Sequence, residues 1–449
     1  MLLAVYVLAG TALVPFHGDE STLLMMSRDY HDVFLRGDLE QVVYYDPPLN
    51  AERQHLRLLN GTLSPYLIGL SWHLAGYSAD DLNSQWDWGA DWNWNVIDGH
   101  MPSAGLLLAA RWPLAILTAL SAPVLFVLAL RLGGRRAAYP ASLLLVSHPA
   151  VLVNGRRAMF EGDLLFFSLL AVTLAVVWVE RLRRGLPQGA AGIHRAIPGA
   201  AVLGMGLAAG LAVASKHMGV VPAAAGYLAI CATIFWKTHG GARRRELLRL
   251  AISGLLAVGV FLALNPAWWS DPLARARAVL DLRVQLAKGQ GEWYTQSVYG
   301  DWAERLAGMI AQLSTAPTAY YEAEGFADPL ADAIAAYEAS PWTGVRYGAN
   351  ALTALLGIGV LLLAAAGTVR LVRAVWSGNA AALAVILWAG LTVLTILATI
   401  PLAWQRYYLP LYPVEALLAG VALGKMQTAG RRFTAPTPPG PGPGEPPGE

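Results

Sequence analysis

The sequence predicts an all-α protein that crosses a membrane several times. Of its 449 residues, 56% are hydrophobic and only 14% are charged, whereas a soluble domain carries about 25% charged residues. The apolar residues fall into runs long enough to cross a bilayer, for which a helix needs about 20 residues. The basic residues between these runs are unevenly distributed, as expected of a polytopic membrane protein.

Ten apolar runs are candidate membrane spans. They cover residues 1–16, 105–131, 137–154, 163–180, 198–214, 219–236, 247–264, 349–370, 380–401 and 408–424. No small-residue cleavage site follows the first run, so we expect a retained helix rather than a signal peptide. The sequence therefore predicts a bundle of about ten transmembrane helices.

The charges between the spans predict the orientation. If the amino terminus is cytoplasmic, the cytoplasmic segments hold 17 of the 32 Lys and Arg residues but only 4 of the 30 Asp and Glu residues. An excess of Lys and Arg in short loops marks the cytoplasmic side of a membrane. We therefore predict a plasma-membrane protein whose amino terminus and carboxyl-terminal tail are both cytoplasmic.

Most of the residues outside the spans then lie on the outer side, in loops 17–104 and 265–348. In the first loop, LSPYLIGLSWHLAGY (residues 63–77) is too short to cross and is amphipathic, which predicts a helix at the membrane interface. Residues 1–425 are expected to form one integral-membrane domain. Residues 426–449, rich in Pro and Gly, are expected to be a disordered tail.

Two adjacent carboxylates, Asp19 and Glu20, follow the first span in the stretch PFHGDEST. They predict either a solvated start of the next helix, with Asp19 as its cap, or a general base at the outer membrane face. The pair alone does not separate the two interpretations.

Three further polar segments interrupt apolar sequence at predicted outer helix ends. NGRRAMFEGD contains Arg156, Arg157 and Glu161, ASKHMG contains Lys216, and LAWQRYYLPLYP contains Arg406. Arginine binds phosphate oxygens in a planar, two-bond geometry. The alternatives are salt bridges from the arginines to neighbouring acids, and a lysine that extends toward the headgroups. Because all these segments fall on one face of the membrane, an anion site there is the stronger hypothesis.

The order of these motifs resembles the membrane glycosyltransferases of the GT-C fold. The carriers of the resemblance are the acidic pair after the first span, RAM after the third, a lysine before a later span and RYYLPLYP before the last. The nearest relatives are the dolichyl-phosphate-mannose protein mannosyltransferases and the bacterial aminoarabinose and phospholipid-carrier-dependent transferases. Over residues 1–425 the resemblance implies an inverting transfer of a sugar from a polyprenyl-phosphate donor, at the outer face, to a protein, lipid or glycan acceptor.

The resemblance also implies roles for individual residues. Asp19 matches the catalytic base, with Glu20 as its neighbour. Arg157, beside Arg156, matches an arginine that faces the donor phosphate or braces the site, and Lys216 and Arg406 match phosphate or loop contacts. Glu161 and Arg57 are expected to support the site. Arg57 or Arg53 would replace a lysine or histidine that relatives carry where this chain has RLLNGTLSPY.

Cofactors and other partners receive little support from the sequence. No glycine loop has phosphate-cradling spacing, and no histidine or carboxylate array has metal-ligand spacing, so we expect neither cofactor nor metal, although other members of the wider fold use a divalent metal. The single cysteine, Cys231, excludes a disulfide framework. We expect membrane lipids as partners and no nucleic acid. The alternative functions are a transporter of lipid-linked sugars and a non-catalytic, polymer-handling membrane protein.

Overall fold

The computed structural model describes residues 2–184 and 193–424, with side chains for residues 2–183 and 199–424. The described residues form nineteen α-helices joined by turns and short 3-10 segments, and they contain no β-strand. The all-α prediction is therefore confirmed. The tail predicted at residues 426–449 lies outside the described residues.

The helices follow one another in two groups. The first six are α1 (Leu2–Ala9), α2 (Gly18–Met26), α3 (Arg28–Tyr30), α4 (Ala51–Leu59), α5 (Leu63–Leu74) and α6 (Trp92–Ile97). The others are α7 (Ala104–Gly133), α8 (Arg135–Ser147), α9 (Pro149–Arg156), α10 (Glu161–Arg184), α11 (Ile193–Ser215), α12 (Val220–Lys237), α13 (Gly240–Leu264), α14 (Pro272–Trp293), α15 (Trp302–Ser314), α16 (Ala327–Ala339), α17 (Ala351–Trp376), α18 (Ala380–Thr399) and α19 (Tyr412–Leu423).

Six helices of the described chain are long and apolar enough to cross a membrane: α7, α10, α12, α13, α17 and α18. The pair α8 and α9, bent by 61°, makes a seventh if it forms one broken span. Each of the ten predicted spans coincides with a helix, but α1 has eight residues and α19 twelve, too few to cross alone. The multi-pass architecture is confirmed, whereas the predicted number of ten is not.

Helix α10 lies at the centre of the bundle, packed against α7, α11, α12 and α18. It is largely buried, whereas α13 and α17 leave most of their apolar surface uncovered by protein. Apolar surface of that extent would be costly in water, so these two helices are suited to face lipid tails.

Small residues bring α19 close to its neighbours. A Cβ on Gly367 of α17 would lie 1.9 Å from the carbonyl oxygen of Leu418, and one on Gly420 would lie 2.5 Å from that of Ala137. Neither position tolerates a side chain without displacing a helix. This is the small-residue packing typical of membrane helices, which gain stability from close backbone approach.

The two long outer loops fold against each other above the bundle. The predicted interface helix is observed as α5, which packs on α7 and buries Trp72. The loop 265–348 contains α14, α15 and α16. Its Phe326 and Leu330 form an apolar cluster with Phe16 and Trp86 of the first loop. This cluster lies next to α2, which carries the acidic pair.

Candidate functional site

The site begins at the amino terminus of α2, where His17 caps the helix. The Asp19 amide donates to His17 Nδ1 at 3.0 Å, and the His17 amide donates to Glu20 Oε2 at 3.1 Å. This reciprocal capping box satisfies two amide groups that the first turn would otherwise leave unpaired. Both carboxylates lie in that first turn, where the helix dipole favours negative charge. The cap therefore gives Asp19 and Glu20 different directions and different surroundings.

Glu20 points inward and is fully buried. Arg111 of α7 donates from Nε to Oε1 and from Nη2 to Oε2, both at 2.7 Å, and the Ala158 amide donates to Oε1 at 2.8 Å. Burial opposes ionisation, but the Arg111 guanidinium outweighs it and holds the pKa of Glu20 below its ordinary value. With both oxygens occupied, Glu20 joins α2 to α7 and to the segment after α9.

Asp19 points the other way, and 30% of its side chain is exposed. Its Oδ2 accepts from Nη1 of Arg406, in the 3-10 segment Gln405–Leu411. Burial of the group opposes ionisation, but Arg406 and then His17 lower the pKa of the Asp19 carboxyl. Asp19 is thus ionised at neutral pH and accessible from outside.

Glu322 of the second outer loop completes the cluster. Its Oε2 lies 2.6 Å from His17 Nε2, and its Oε1 lies 3.1 Å from Arg406 Nε. Burial opposes its ionisation, but Arg406 and His17 lower the pKa of Glu322 to about 2. The same two acids raise the pKa of Arg406 well above its ordinary value against the effect of burial. One arginine therefore bridges Asp19 and Glu322.

The predicted arginines of the third-span motif are buried and bound to carbonyl oxygens. Arg157 donates to the carbonyls of Pro15 at 3.0 Å and Tyr320 at 2.7 Å. Arg156 donates to three carbonyls, among them that of Val7 at 2.7 Å. Neither guanidinium is turned toward solvent, since Arg156 is 0% and Arg157 is 1% exposed. Both arginines tie α1 and the second outer loop to the end of α9.

Lys216 and Glu161 form a second, more open pair beside Arg406. Lys216 Nζ lies 3.2 Å from Glu161 Oε1, and 23% of the lysine side chain is exposed. Glu161 is close enough to Arg406 to interact with it electrostatically. The other oxygen of Glu161 has no hydrogen-bond partner. The structure thus brings Lys216, Glu161, Arg406 and Asp19 to one region.

A further basic residue, Arg283 of α14, enters this region from the second outer loop. Its Nη2 donates to the carbonyl of Leu59, and it interacts electrostatically with His217 and Tyr407. Both ring nitrogens of His217 lack a hydrogen-bond partner among the described residues. Together with Lys216, these groups form a cationic wall, defined here as Lys216, His217 and Arg283. It offers several N–H groups to an anion.

Aromatic rings line both sides of the acidic group. Trp88 lies against His17, with a ring-centroid distance of 5.7 Å, and remains 37% exposed. On the other side Trp404 packs on Tyr294 and Tyr407 at centroid distances of 5.0 and 5.3 Å. Rings of this kind present flat apolar faces with polar edges. The arrangement suits a polar ligand that also has apolar faces, such as a sugar ring.

Arg57 lies in a different cluster from Asp19. It pairs with Asp29 through Nε at 2.6 Å and Nη2 at 2.7 Å, and Arg53 bridges Asp29 and Asp32 at 2.6 Å each. These pairs join α3 to α4, and no contact between Arg57 and Asp19 occurs in the described structure. No group of three or more His, Cys, Asp or Glu side chains that could hold a metal ion occurs among the described residues.

Three residues of the site were missed by the sequence analysis. Arg111 carried a signal, since it is a charge inside the predicted span 105–131, where ionisable groups usually have a function. His17 stands two residues before Asp19, at a position suited to a helix cap. Glu322 carried none, because it is one of several acids in a long loop.

Comparison with solved structures identifies the fold. The Archaeoglobus fulgidus oligosaccharyltransferase matches with a TM-score of 0.51 and 13% identity, over 94% of this chain and 48% of that chain. ArnT from Cupriavidus metallidurans, bound to undecaprenyl phosphate, gives 0.46 and 16% over 94% and 58% of the two chains. The S. cerevisiae protein O-mannosyltransferase complex Pmt1-Pmt2, bound to the sugar donor, gives 0.43 and 17% over 59% and 32%. The chain has the GT-C fold of membrane glycosyltransferases, and it spans between about a third and three fifths of the length of these proteins.

The family follows from the sequence. The family model of dolichyl-phosphate-mannose-protein mannosyltransferases matches residues 41–269, just over half of the chain. The chain therefore belongs to the dolichyl-phosphate-mannose-protein mannosyltransferase family. The matched range includes Arg157 and Lys216, begins after Asp19 and ends before Arg406. No curated protein matches the chain.

Proposed function

We propose that this protein is an inverting glycosyltransferase that moves a sugar from a polyprenyl-phosphate carrier to an acceptor at the extracytoplasmic face of the membrane. One observation carries the proposal. Asp19 is an ionised, partly exposed carboxylate next to Arg406 and near the cationic wall, between two groups of aromatic rings. Family membership supports the donor class, and neither the sugar nor the acceptor follows from it.

Asp19 is proposed to act as the general base. The oxygen of an acceptor hydroxyl attacks the anomeric carbon from the side opposite the phosphate, while Asp19 takes the hydroxyl proton. The bond between the anomeric carbon and the phosphate oxygen breaks, and its electron pair leaves with the polyprenyl phosphate. A positioned carboxylate contributes about 10²–10⁴-fold to such a step.

The cations are proposed to bind the donor phosphate and stabilise it as it leaves. Lys216 is partly exposed and Arg406 reaches the same region, while Arg283 adds a buried charge with only a carbonyl oxygen as partner. Preorganised cations lower the cost of developing negative charge in a site that excludes water. A phosphate drawn to Arg406 would also weaken its hold on Asp19 and increase the basicity of that carboxylate.

The remaining predicted residues are proposed to support this geometry. Glu20, Arg156 and Arg157 have their polar atoms occupied by partners within the protein, so we assign them to bracing rather than to substrate contact. Glu161 holds Lys216, and Arg57 braces the first outer loop. The aromatic groups of the loop 265–348 are proposed to shape the acceptor pocket.

We further propose that the transfer needs no divalent metal. Arg406 already supplies a positive charge between Asp19 and Glu322, the position where two carboxylates would otherwise share a cation. Activity that persists after dialysis against EDTA would support this, and activity restored only by added metal would contradict it. The cytoplasmic termini and the plasma-membrane location are likewise proposals, supported by the charge distribution of the loops.

The test is a product assay with the purified full chain. It is incubated with a panel of polyprenyl-phosphate hexoses and pentoses, and with candidate protein, lipid and glycan acceptors. We expect release of polyprenyl phosphate together with a new glycosidic bond, and loss of both in Asp19→Asn while the melting temperature is retained. Full activity of Asp19→Asn would refute the base assignment. Movement of a lipid-linked sugar across vesicles without bond formation would refute the transferase and favour a transporter.

A further inference from the structure

Glu322 contacts the two residues that hold Asp19. Its Oε2 lies 2.6 Å from His17 Nε2, and its Oε1 lies 3.1 Å from Arg406 Nε. The side chain is only 8% exposed, so the contacts are shielded from water. Glu322 comes from the second outer loop, whereas His17 precedes α2 and Arg406 precedes α19.

The hydrogen bonds of His17 determine which nitrogen carries the hydrogen. The Asp19 amide donates to Nδ1 at 3.0 Å, so Nδ1 presents a lone pair. Nε2 therefore carries the hydrogen and donates it to Glu322. A carboxylate that accepts from one ring nitrogen selects the tautomer and the orientation of the ring. Glu322 thus orients the ring that caps α2, and with it the backbone of Asp19.

The orientation of Arg406 depends on the same carboxylate. The guanidinium is planar, so an interaction on its Nε side restricts the direction in which Nη1 points. Nη1 is the atom that donates to Asp19. Both the backbone and the side chain of Asp19 are therefore held by groups that Glu322 orients.

We propose that Glu322 is a positioning residue of the transfer reaction, orienting Asp19 through His17 and Arg406. The inference rests on the proposed function. It differs from a purely structural role, because a structural residue changes the amount of folded protein and its melting temperature, but not the turnover of the molecules that remain folded.

The first experiment compares Glu322→Gln with Glu324→Gln, a matched change two residues away at an exposed position with no recorded contact. The glutamine can accept from His17 or from Arg406 but not from both, since its other polar atom is a donor. We expect kcat per folded molecule to fall about 10–100-fold in Glu322→Gln, as expected for a displaced catalytic group. Glu324→Gln should equal the wild type. Equal kcat in both variants would overturn the proposal.

A double-mutant cycle then tests the route of the effect. Glu322→Gln is combined with His17→Gln and, separately, with Arg406→Gln. If Glu322 acts through these residues, each double variant should lose little more kcat than the more damaging of its two single changes. Additive losses in both cycles would overturn the proposal.

Glu322→Asp keeps the test decisive if Glu322→Gln does not fold. The aspartate retains the charge but is shorter by one methylene, so it cannot reach both partners in place. The proposal then expects about a tenfold lower kcat than Glu324→Asp, and equal values would overturn it. A wild type that transfers sugar while these comparisons fail refutes only the role of Glu322, whereas a wild type inactive toward every donor refutes both proposals.

Discussion

The neighbouring carboxylates Asp19 and Glu20 should fail in opposite ways when each is replaced by its amide. Glu20 is 0% exposed and accepts four hydrogen bonds, two of them from Arg111 at 2.7 Å. Glutamine would retain one acceptor oxygen and turn an amide donor toward the guanidinium. Breaking a buried ion pair in this way costs about 3–5 kcal/mol, because it leaves an uncompensated charge. Glu20→Gln should therefore lower the melting temperature by several degrees.

Asp19 has one ion-pair partner, Arg406, and is partly exposed. In Asp19→Asn, Arg406 still has Glu322 as a partner. The stability of the fold should change by about 1 kcal/mol or less, while the transfer rate should fall by about 10²–10⁴-fold.

The assay pairs the melting temperature of each variant in detergent with the transfer rate per folded molecule. Arg131→Gln, which breaks a partly exposed pair with Glu180, serves as a control for charge removal. The reasoning would be refuted if Glu20→Gln melted like the wild type, or if Asp19→Asn were destabilised as much as Glu20→Gln.

Three further predictions concern packing, pH and donor binding. Gly367→Ala should destabilise the bundle by about 2 kcal/mol or more, since its Cβ would lie 1.9 Å from the Leu418 carbonyl oxygen. Gly359→Ala on the same helix, where a Cβ meets no neighbour, should be neutral in the same melting assay. Because the pKa of Glu322 falls to about 2 from 4.5, the stability it contributes is present above pH 4.5 and is lost as the pH falls toward 2. The melting temperature of Glu322→Gln should therefore depend less on pH in that range than the wild-type value, and equal slopes would contradict this. Lys216→Ala should raise the donor KM about tenfold, as expected for loss of one charged contact, whereas Lys216→Arg should retain most of the affinity, and an unchanged KM in Lys216→Ala would argue against phosphate contact.

The sequence was most informative about the membrane-embedded part of the chain. In lipid every backbone polar group has to be paired internally, so a long apolar run is almost certain to be helical. Each predicted span therefore coincides with a helix. The number of full crossings was less predictable, because α1 is cut short at Ala9 and α8 and α9 meet at a 61° bend. These details depend on how neighbouring helices pack.

The candidate site was predictable only in part. Asp19, Lys216 and Arg406 interrupt apolar sequence at helix ends, and that local contrast was visible in the sequence. The different surroundings of Asp19 and Glu20 were not, because one residue of spacing on a helix decides which of two neighbouring side chains points inward. Arg57 was expected near the site, but it pairs with Asp29 in a separate cluster.

By itself, the sequence determined that this chain is helical and crosses a membrane, and which charged residues stand at the helix ends, because those properties depend on local composition and on the cost of placing polar groups in lipid. Only the tertiary structure decided which charges meet. Asp19 and Arg406 are 387 positions apart, and Glu322 is 305 positions from His17. Contacts over such separations depend on the packing of the whole bundle and of its outer loops, and no local pattern records them.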